Sequence, residues 1–276
     1  MTDITTTTVR SRDGTALNLV HVPHAAPRAT VLIVHGFAEH IRRYDHVVRF
    51  LHERGYEVAG LDVRGHGSSG GRRCFVERFD EYLDDVDAAL NHVATRGARK
   101  LFLLAHSHGG LITARYLEQH PEGVDGAVLT SPLFGFKVEV PAWKRILGRS
   151  MSVLWPSLAI PSGIPPEHVS HDPEIIRAYA ADPLNSKIAT ARWYTECVAA
   201  QALALADAHR LRLPMLVLQA GDDRIVDAAR SENFLAAVGS RDKAFVSYPG
   251  LFHEILNEPE KATILPAIDA WLTARL

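Results

Sequence analysis

Ser107 lies in Ala105-His-Ser-His-Gly109, directly after the apolar run 101–105 and directly before a helical pattern. A serine hydroxyl is a weak nucleophile until a base takes its proton and an acid orients that base. Candidates for both partners stand downstream, at the ends of two later strand-like runs. Asp222 and Asp223 follow the run 215–220, and His253 follows the run 244–248. Of the two acids Asp223 is preferred, with Asp222 as a turn residue and Asp227 as the N-cap of the next helix. The strand ending at Ser131 offers no carboxylate until Glu139, which removes the commonest alternative place for the acid. Each residue has an ordinary reading too: Ser107 as a helix N-cap, the acids as turn residues, His253 as a solvated loop histidine. Three strand-end placements in one chain favour nucleophilic attack on an acyl carbon.

The elements that must hold these residues follow from hydrophobic pattern. Apolar runs at 29–34, 101–105 and 125–131 read as buried strands, and 56–63, 214–220 and 244–248 as further strands of the same set. Helical spacing fills the intervals 44–54 (stopping at Gly55), 79–95, 111–119, 227–238 and 258–274. Residues 5–10 and 16–22 read as an edge hairpin closed by a two-residue Asp13-Gly14 turn. At Ser107 the small residues Ala105 and Gly109 let strand and helix crowd together behind a strained apex, a nucleophile elbow. Alternation of this kind implies an α/β class, a mostly parallel doubly wound sheet. It breaks between 134 and 210, where no clean strand is seen and proline recurs at 141, 156, 161, 165, 166, 173 and 183. That stretch reads as a helical lid, with one helix starting at Asp172-Pro173-Glu174 and another over 189–208. The expected organisation is a core of 1–133 and 211–276 with the lid 134–210 inserted.

Composition excludes several classes of function. The chain has 276 residues, 47% hydrophobic and 22% charged, with a formal net charge of -2, so no field draws nucleic acid and no nucleic-acid partner is expected. The Thr-rich start is no signal peptide and no run approaches a membrane span, which leads to an expectation of a cytoplasmic protein. Cys74 and Cys197 are expected to be isolated thiols. Fifteen histidines come without an H-E-x-x-H pattern, and no metal is expected. Gly65-His-Gly-Ser-Ser-Gly70 spells a dinucleotide-binding pattern, but no helix opens at its third glycine, so a tight structural loop is preferred and no cofactor is expected.

Taken together, His35-Gly-Phe-Ala-Glu-His40 with Arg43-Tyr44, Asp62-Val-Arg-Gly-His-Gly-Ser68 with Gly71-Arg72, and His106-Ser-His-Gly-Gly110 resemble the monoglyceride lipase and lysophospholipase branch of the α/β-hydrolases. The resemblance continues through Asp182-Pro-Leu184, Asp223-Arg224 and His253 and covers nearly the whole chain. It implies an α/β-hydrolase fold with a cap, the order Ser107, Asp223, His253 for the catalytic residues, and oxyanion-hole amides at Phe37 and His108. The departures are Ala105 for glycine and His108 where methionine is common, with the His108 ring expected against either the acyl chain or the nucleophile. The expected activity is hydrolysis of medium- or long-chain carboxylic esters through an acyl-enzyme, monoacylglycerols first, so the expected partner is a small ester or lipid. Lysophospholipase, thioesterase, carbon-carbon hydrolase and peptidase chemistries are the alternatives, and an intact triad argues against a non-enzymatic ligand sensor. Trp143, Lys144, Arg145 and Arg149 are the lid residues that would touch a bilayer transiently, against an ordinary solvated face. The oligomeric state is left open.

Overall fold

The computed structural model describes residues 4–94, 100–137 and 142–276, with the side chains of 142–145 outside that description. In chain order the strands are β1 (Thr5–Arg10), β2 (Ala16–Val22), β3 (Thr30–Val34), β4 (Glu57–Leu61), β5 (Leu101–His106), β6 (Gly126–Thr130), β7 (Ala159–Pro161), β8 (Ile188–Thr190), β9 (Met215–Ala220) and β10 (Lys243–Tyr248). The helices are α1 (Asp45–His52), α2 (Asp80–Ala94), α3 (His108–Gln119), α4 (Ala142–Leu154), α5 (Pro173–Ala181), α6 (Ala191–Asp207), α7 (Ala228–Ala237) and α8 (Lys261–Thr273). Eight strands form one sheet in the order β1-β2-β4-β3-β5-β6-β9-β10. β1, β2 and β4 pair antiparallel, and every pair from β4 to β10 is parallel.

The apolar runs of β3, β5, β6 and β9 are continuous because both faces are covered, whereas the edge strand β10 mixes exposed and half-buried residues. Leu32, Val34, Leu103 and Ala105 face one core with α2, α3, α6 and α7, while Val31, Ile33, Phe102 and Leu104 face the other with α1 and α8. Register then aligns the strand ends: Val34 pairs with Ala105, His106 with Thr130, Thr130 with Leu218 and Leu218 with Val246. The loops after β3, β5, β9 and β10 therefore open on the same edge of the sheet, the crevice where open α/β sheets hold ligands.

Three sequence expectations need correction. The β1–β2 connection spans Ser11 to Thr15, not two residues: Ser11 N–H donates to the Thr15 carbonyl and Gly14 N–H to the Ser11 carbonyl. The Asp13 carboxylate accepts the Thr15 N–H inside the turn through Oδ1 at 2.9 Å and meets the Arg64 guanidinium through Oδ2 at 2.8 Å. The stretch 134–210 does contain strand, the antiparallel three-residue pair β7–β8, too short and proline-bearing to show a period of two. It also contains α4, a helix beyond the two expected. The other two arrive as read: Asp172 caps α5 by accepting the Glu174 N–H, with Pro173 at the first helical position, and α6 runs from 191 to 207.

The dinucleotide-like glycines build a tight loop. Gly65 and Gly67 both take positive φ, and a side chain on Gly67 would run into the Asp62 carboxylate. Asp62 fills that space and accepts from the Ile41 and Ser68 amides and the Asn18 side chain. Arg64 is buried against Asp85 and also donates to Asp13, Glu81 and Ser11 Oγ.

Gly109 is the closest approach between the central sheet and α3: a Cβ there would strike the carbonyl oxygens of Val34 and His35. Because both obstacles are backbone, they yield only by moving β3 away from α3. Gly109→Ala is expected to lower unfolding free energy by about 1–3 kcal/mol, read as a lower urea midpoint at unchanged slope; an unchanged midpoint would refute the crowding argument.

Candidate active site

Ser107 sits between β5 and α3 with φ 51 and ψ -116, in a backbone region that L residues rarely adopt. Its backbone is held on both sides. The Ser107 N–H donates to the Thr130 carbonyl at 2.9 Å, and the Ser107 carbonyl accepts from Leu133 N–H at 2.9 Å. It occupies the N-cap position of α3, yet its side chain makes no capping hydrogen bond. The hydroxyl points to His253 instead, Oγ to Nε2 at 2.9 Å.

His253 follows β10, and its Nδ1 lies 2.8 Å from Asp223 Oδ2. A carboxylate only accepts, so Nδ1 carries the hydrogen and Nε2 is left to accept from the serine. Burial opposes charge on both groups. The Asp223 charge and hydrogen bond, with Glu254 and Glu39 behind them, nevertheless raise the His253 pKa above its ordinary value of 6.5. Asp223 in turn is held below the usual carboxylate range, because the attraction of His253 and the amides of Val226 and Ile225 outweigh its desolvation. The Ile225 and Val226 amides donate to Oδ1 at 2.8 and 2.9 Å respectively, and Gln219 Nε2 donates to Oδ2 at 3.3 Å. Asp222 is exposed, and Asp227 accepts the Ala229 N–H at the start of α7. The structure thus brings Ser107, Asp223 and His253 together and leaves both neighbouring acids outside.

A second set of charges, whose contacts sequence reasoning missed, surrounds this row. Arg43 donates to both Glu254 oxygens at 2.6 Å and to Glu39 Oε2 at 2.7 Å. Glu39 Oε1 accepts from Tyr44 Oη at 2.7 Å and from the Gly36 amide at 2.5 Å. Burial alone would raise the Glu39 pKa, but Arg43, His106, His35 and the Tyr44 hydroxyl bring it down to about 2. His106, fully buried with its ring 4.8 Å from that of His253, is pushed down to about 3 by burial and by the neighbouring imidazole. It stays neutral and donates through Nδ1 to the Thr130 carbonyl at 3.0 Å. The segment between β6 and β9 is tied to the loop after β3 by His40 Nε2 to Asp182 at 2.9 Å and by Ser186 N–H to the Ala38 carbonyl at 2.8 Å. The Arg43 guanidinium also lies over the Tyr179 ring of α5. His40, Arg43 and Asp182 carry the resemblance in sequence, but nothing there showed that they meet.

A small cavity of about 40 Å³ opens beside Ser107 and His253. Phe37, Leu133, Phe136, Ile164, Val169, Trp193 and Ile225 supply apolar wall, while Glu39, Tyr179 and Glu254 form a polar corner. The Phe37 ring stacks on Trp193 at 3.6 Å, and the His108 amide opens α3, where first-turn N–H groups have no partner within the helix. The His108 ring faces neither a substrate chain nor Ser107: it turns into the core against Phe37, Phe79, Tyr82 and Trp193. Among the described residues His171, Glu258 and Glu260 are grouped closely enough to share a metal ion. The Glu258 carboxylate is occupied by Ser170 Oγ and the amides of His171 and Phe252, so it works as a tie between residue 170 and the His253 loop. No helix among the described residues is long and apolar enough to cross a membrane.

Residues 25–260 match the family described as serine aminopeptidase, S33 (Hydrolase_4). The chain is 32% identical to the phospholipase YtpA of Bacillus subtilis over 89% of its own length and 95% of that protein. It is 31% identical to the monoacylglycerol lipase of Mycolicibacterium smegmatis over 93% and 92% of the two lengths. The crystal structure of the Paleococcus ferrophilus monoacylglycerol lipase superimposes with a TM-score of 0.86 at 26% identity, covering 95% of this chain and 99% of that one. An apolar cavity beside a buried serine, on an α/β-hydrolase sheet, agrees with these likenesses: the chain belongs to the Hydrolase_4 family, in its monoglyceride lipase-like branch, and is a carboxylic ester hydrolase.

Proposed function

We propose that the chain hydrolyses esters of medium- and long-chain fatty acids, monoacylglycerols first, by two-step acyl transfer at Ser107. The observation that carries this reading is the continuous hydrogen-bonded row Ser107–His253–Asp223 at the edge of a cavity with apolar walls and one polar corner. His253 takes the Ser107 proton as Oγ attacks the ester carbonyl. The amides of Phe37 and His108 receive the oxyanion. The ester C–O bond breaks, and His253 returns the proton to the departing alcohol. Water, deprotonated by the same imidazole, then attacks the acyl-enzyme; Ser107 regains its proton and the fatty acid leaves.

The polar corner discriminates among leaving groups. Arg43, the cation at this corner, is already engaged by Glu39 and Glu254, so it offers little to a phosphodiester head group and the corner suits a neutral polyol. Both acids are engaged by Arg43, so neither stands free to pair with the ammonium of a peptide N-terminus. Residues 134–210 serve as the lid. On its outer side α4 and the turn after it expose Ile146, Leu147, Val153, Leu154 and Trp155, with Leu154 at 76%. Arg149 is exposed on the same helix, and the side chains of Trp143, Lys144 and Arg145 lie outside the described residues. This apolar surface supports a transient contact of the lid with a lipid surface.

A panel of monoacylglycerols, lysophospholipids, acyl thioesters and aminoacyl anilides is expected to give the highest kcat/KM for monoacylglycerols; a higher value for lysophospholipids would replace this reading with its alternative. Ser107→Ala should remove fluorophosphonate labelling and lower kcat on the order of 10⁶-fold, and retained labelling would take Ser107 out of the role. His253 must be neutral to accept the proton, and its pKa is raised, so activity falls as pH drops through that raised value. The acid limb of kcat/KM is therefore expected above the ordinary histidine pKa of 6.5, and in Asp223→Asn it should move downward; a wild-type limb below 6.5 contradicts the assignment. The wild type should co-sediment with phosphatidylcholine vesicles and Leu154→Asp should do so less, whereas a wholly soluble wild type ends the bilayer proposal.

A further inference from the structure

The mechanism uses the His108 amide and leaves its ring without a task. That ring is completely buried. Burial, with His66 and His35 nearby, pushes its pKa well below the ordinary value, so it is neutral. Its Nε2 accepts the indole N–H of Trp193 at 3.3 Å, which places the remaining hydrogen on Nδ1. That Nδ1 is buried and has no hydrogen-bond partner among the described residues. The rings of Tyr82, Phe79 and Phe37 meet the imidazole edge-to-face at 5.0, 5.8 and 5.9 Å. An unpartnered buried N–H is a standing cost that an apolar residue of similar volume would avoid. The one hydrogen bond gained in return goes to a tryptophan that lines the cavity.

Trp193 is held in two further ways. Its ring stacks on Phe37 at 3.6 Å and 19°. Its backbone N–H donates to Thr190 Oγ1 at 3.4 Å, and that hydroxyl donates to the Cys74 carbonyl at 2.7 Å. What stacking leaves free is rotation of the indole within its own plane and sliding along Phe37. A directional hydrogen bond from Nε1 removes both freedoms.

We propose that His108 is a specificity-positioning residue, which accepts the Trp193 indole N–H and so fixes that ring as a rigid wall of the acyl pocket, limiting the chain lengths that fit. The inference rests on the proposed esterase reading and adds the residue that tunes it. With the acceptor removed, the indole yields to longer chains and gives up its fixed contact with short ones, so preference moves toward long acyl groups.

The test is kcat/KM on nitrophenyl butyrate, laurate and palmitate for the wild type, His108→Met, His108→Gln, Trp193→Phe and the His108→Met/Trp193→Phe pair. Methionine keeps the volume with only a weak acceptor, whereas the Gln carbonyl restores one. The palmitate-to-butyrate ratio is expected to rise about fivefold in His108→Met, the scale of one neutral hydrogen bond, and to stay at the wild-type value in His108→Gln. Trp193→Phe should raise the ratio too, and the pair should exceed Trp193→Phe alone by less than twofold, because the partner is already gone. A wild-type ratio in His108→Met, or effects that multiply in the pair, overturns the proposal. His108→Leu is read in the same way if the methionine variant does not fold. Wild-type turnover of butyrate in the same assay tests the esterase reading separately, so the two can fail independently.

Discussion

One guanidinium holds the candidate site in shape. Arg43 meets Glu254 with two parallel hydrogen bonds and Glu39 with a third, all within 2.7 Å. Glu39 belongs to the loop after β3, whose Gly36 amide it accepts, and Glu254 adjoins His253 in the loop after β10. These two loops leave the sheet four strands apart, with β5, β6 and β9 between their parent strands in the order β3-β5-β6-β9-β10. Without Arg43 two carboxylates would be left buried and unpaired, an arrangement that costs about 3–5 kcal/mol when a partner is removed. A planar fork matches two carboxylates in a way that an ammonium does not. The same guanidinium covers the Tyr179 ring, so the inserted segment is seated on the bridge that joins the two loops.

Ser107 depends on the same economy of fixed neighbours. Its positive φ persists because its backbone is bonded to β6 on one side and to Leu133 on the other, and because Gly109 allows α3 to lie directly against β3. Strain at one residue is tolerable where the surroundings over-determine it. His106 beneath contributes an imidazole that stays neutral, so no second positive charge develops next to His253. The electrostatics therefore favour a proton on His253 from one side only, the side of Asp223, Glu254 and Glu39.

What could be read from sequence was whatever depends on near neighbours. Strand runs, the small residue two after Ser107 and the Asp172-Pro173 start of α5 are local decisions that the structure keeps, and it sets Asp223 rather than Asp222 against His253. What could not be read are pairings set by the closure of the sheet. Arg43 and Glu254 are 211 positions apart, and His40 and Asp182 are 142 apart. Residue type alone makes each of them a plausible surface charge. The Asp13-Gly14 turn was read too tight: Gly14 does take a positive φ, but the strand pairing ends at Arg10 and Ala16. The His108 ring escaped because a turn shows where a backbone goes and not which way the side chain after the apex falls.

The buried polar groups at this edge of the sheet divide by what their hydrogen-bonding capacity leaves over. Asp62, Asp85, Glu39 and Glu254 each accept from two or more donors in the loops they join, so they hold geometry and have little capacity for chemistry. Asp223 is saturated by four donors as well, and acts only through the imidazole it orients. Ser107 differs from all of them: its hydroxyl has one partner, a histidine that can take the proton, and its lone pairs face the cavity edge. By this criterion reactivity belongs to the least satisfied member of a network whose other members are fully engaged. The imidazole of His108, with one nitrogen bonded to a cavity wall and the other without a partner among the described residues, is a further group whose valence is not explained by holding the backbone.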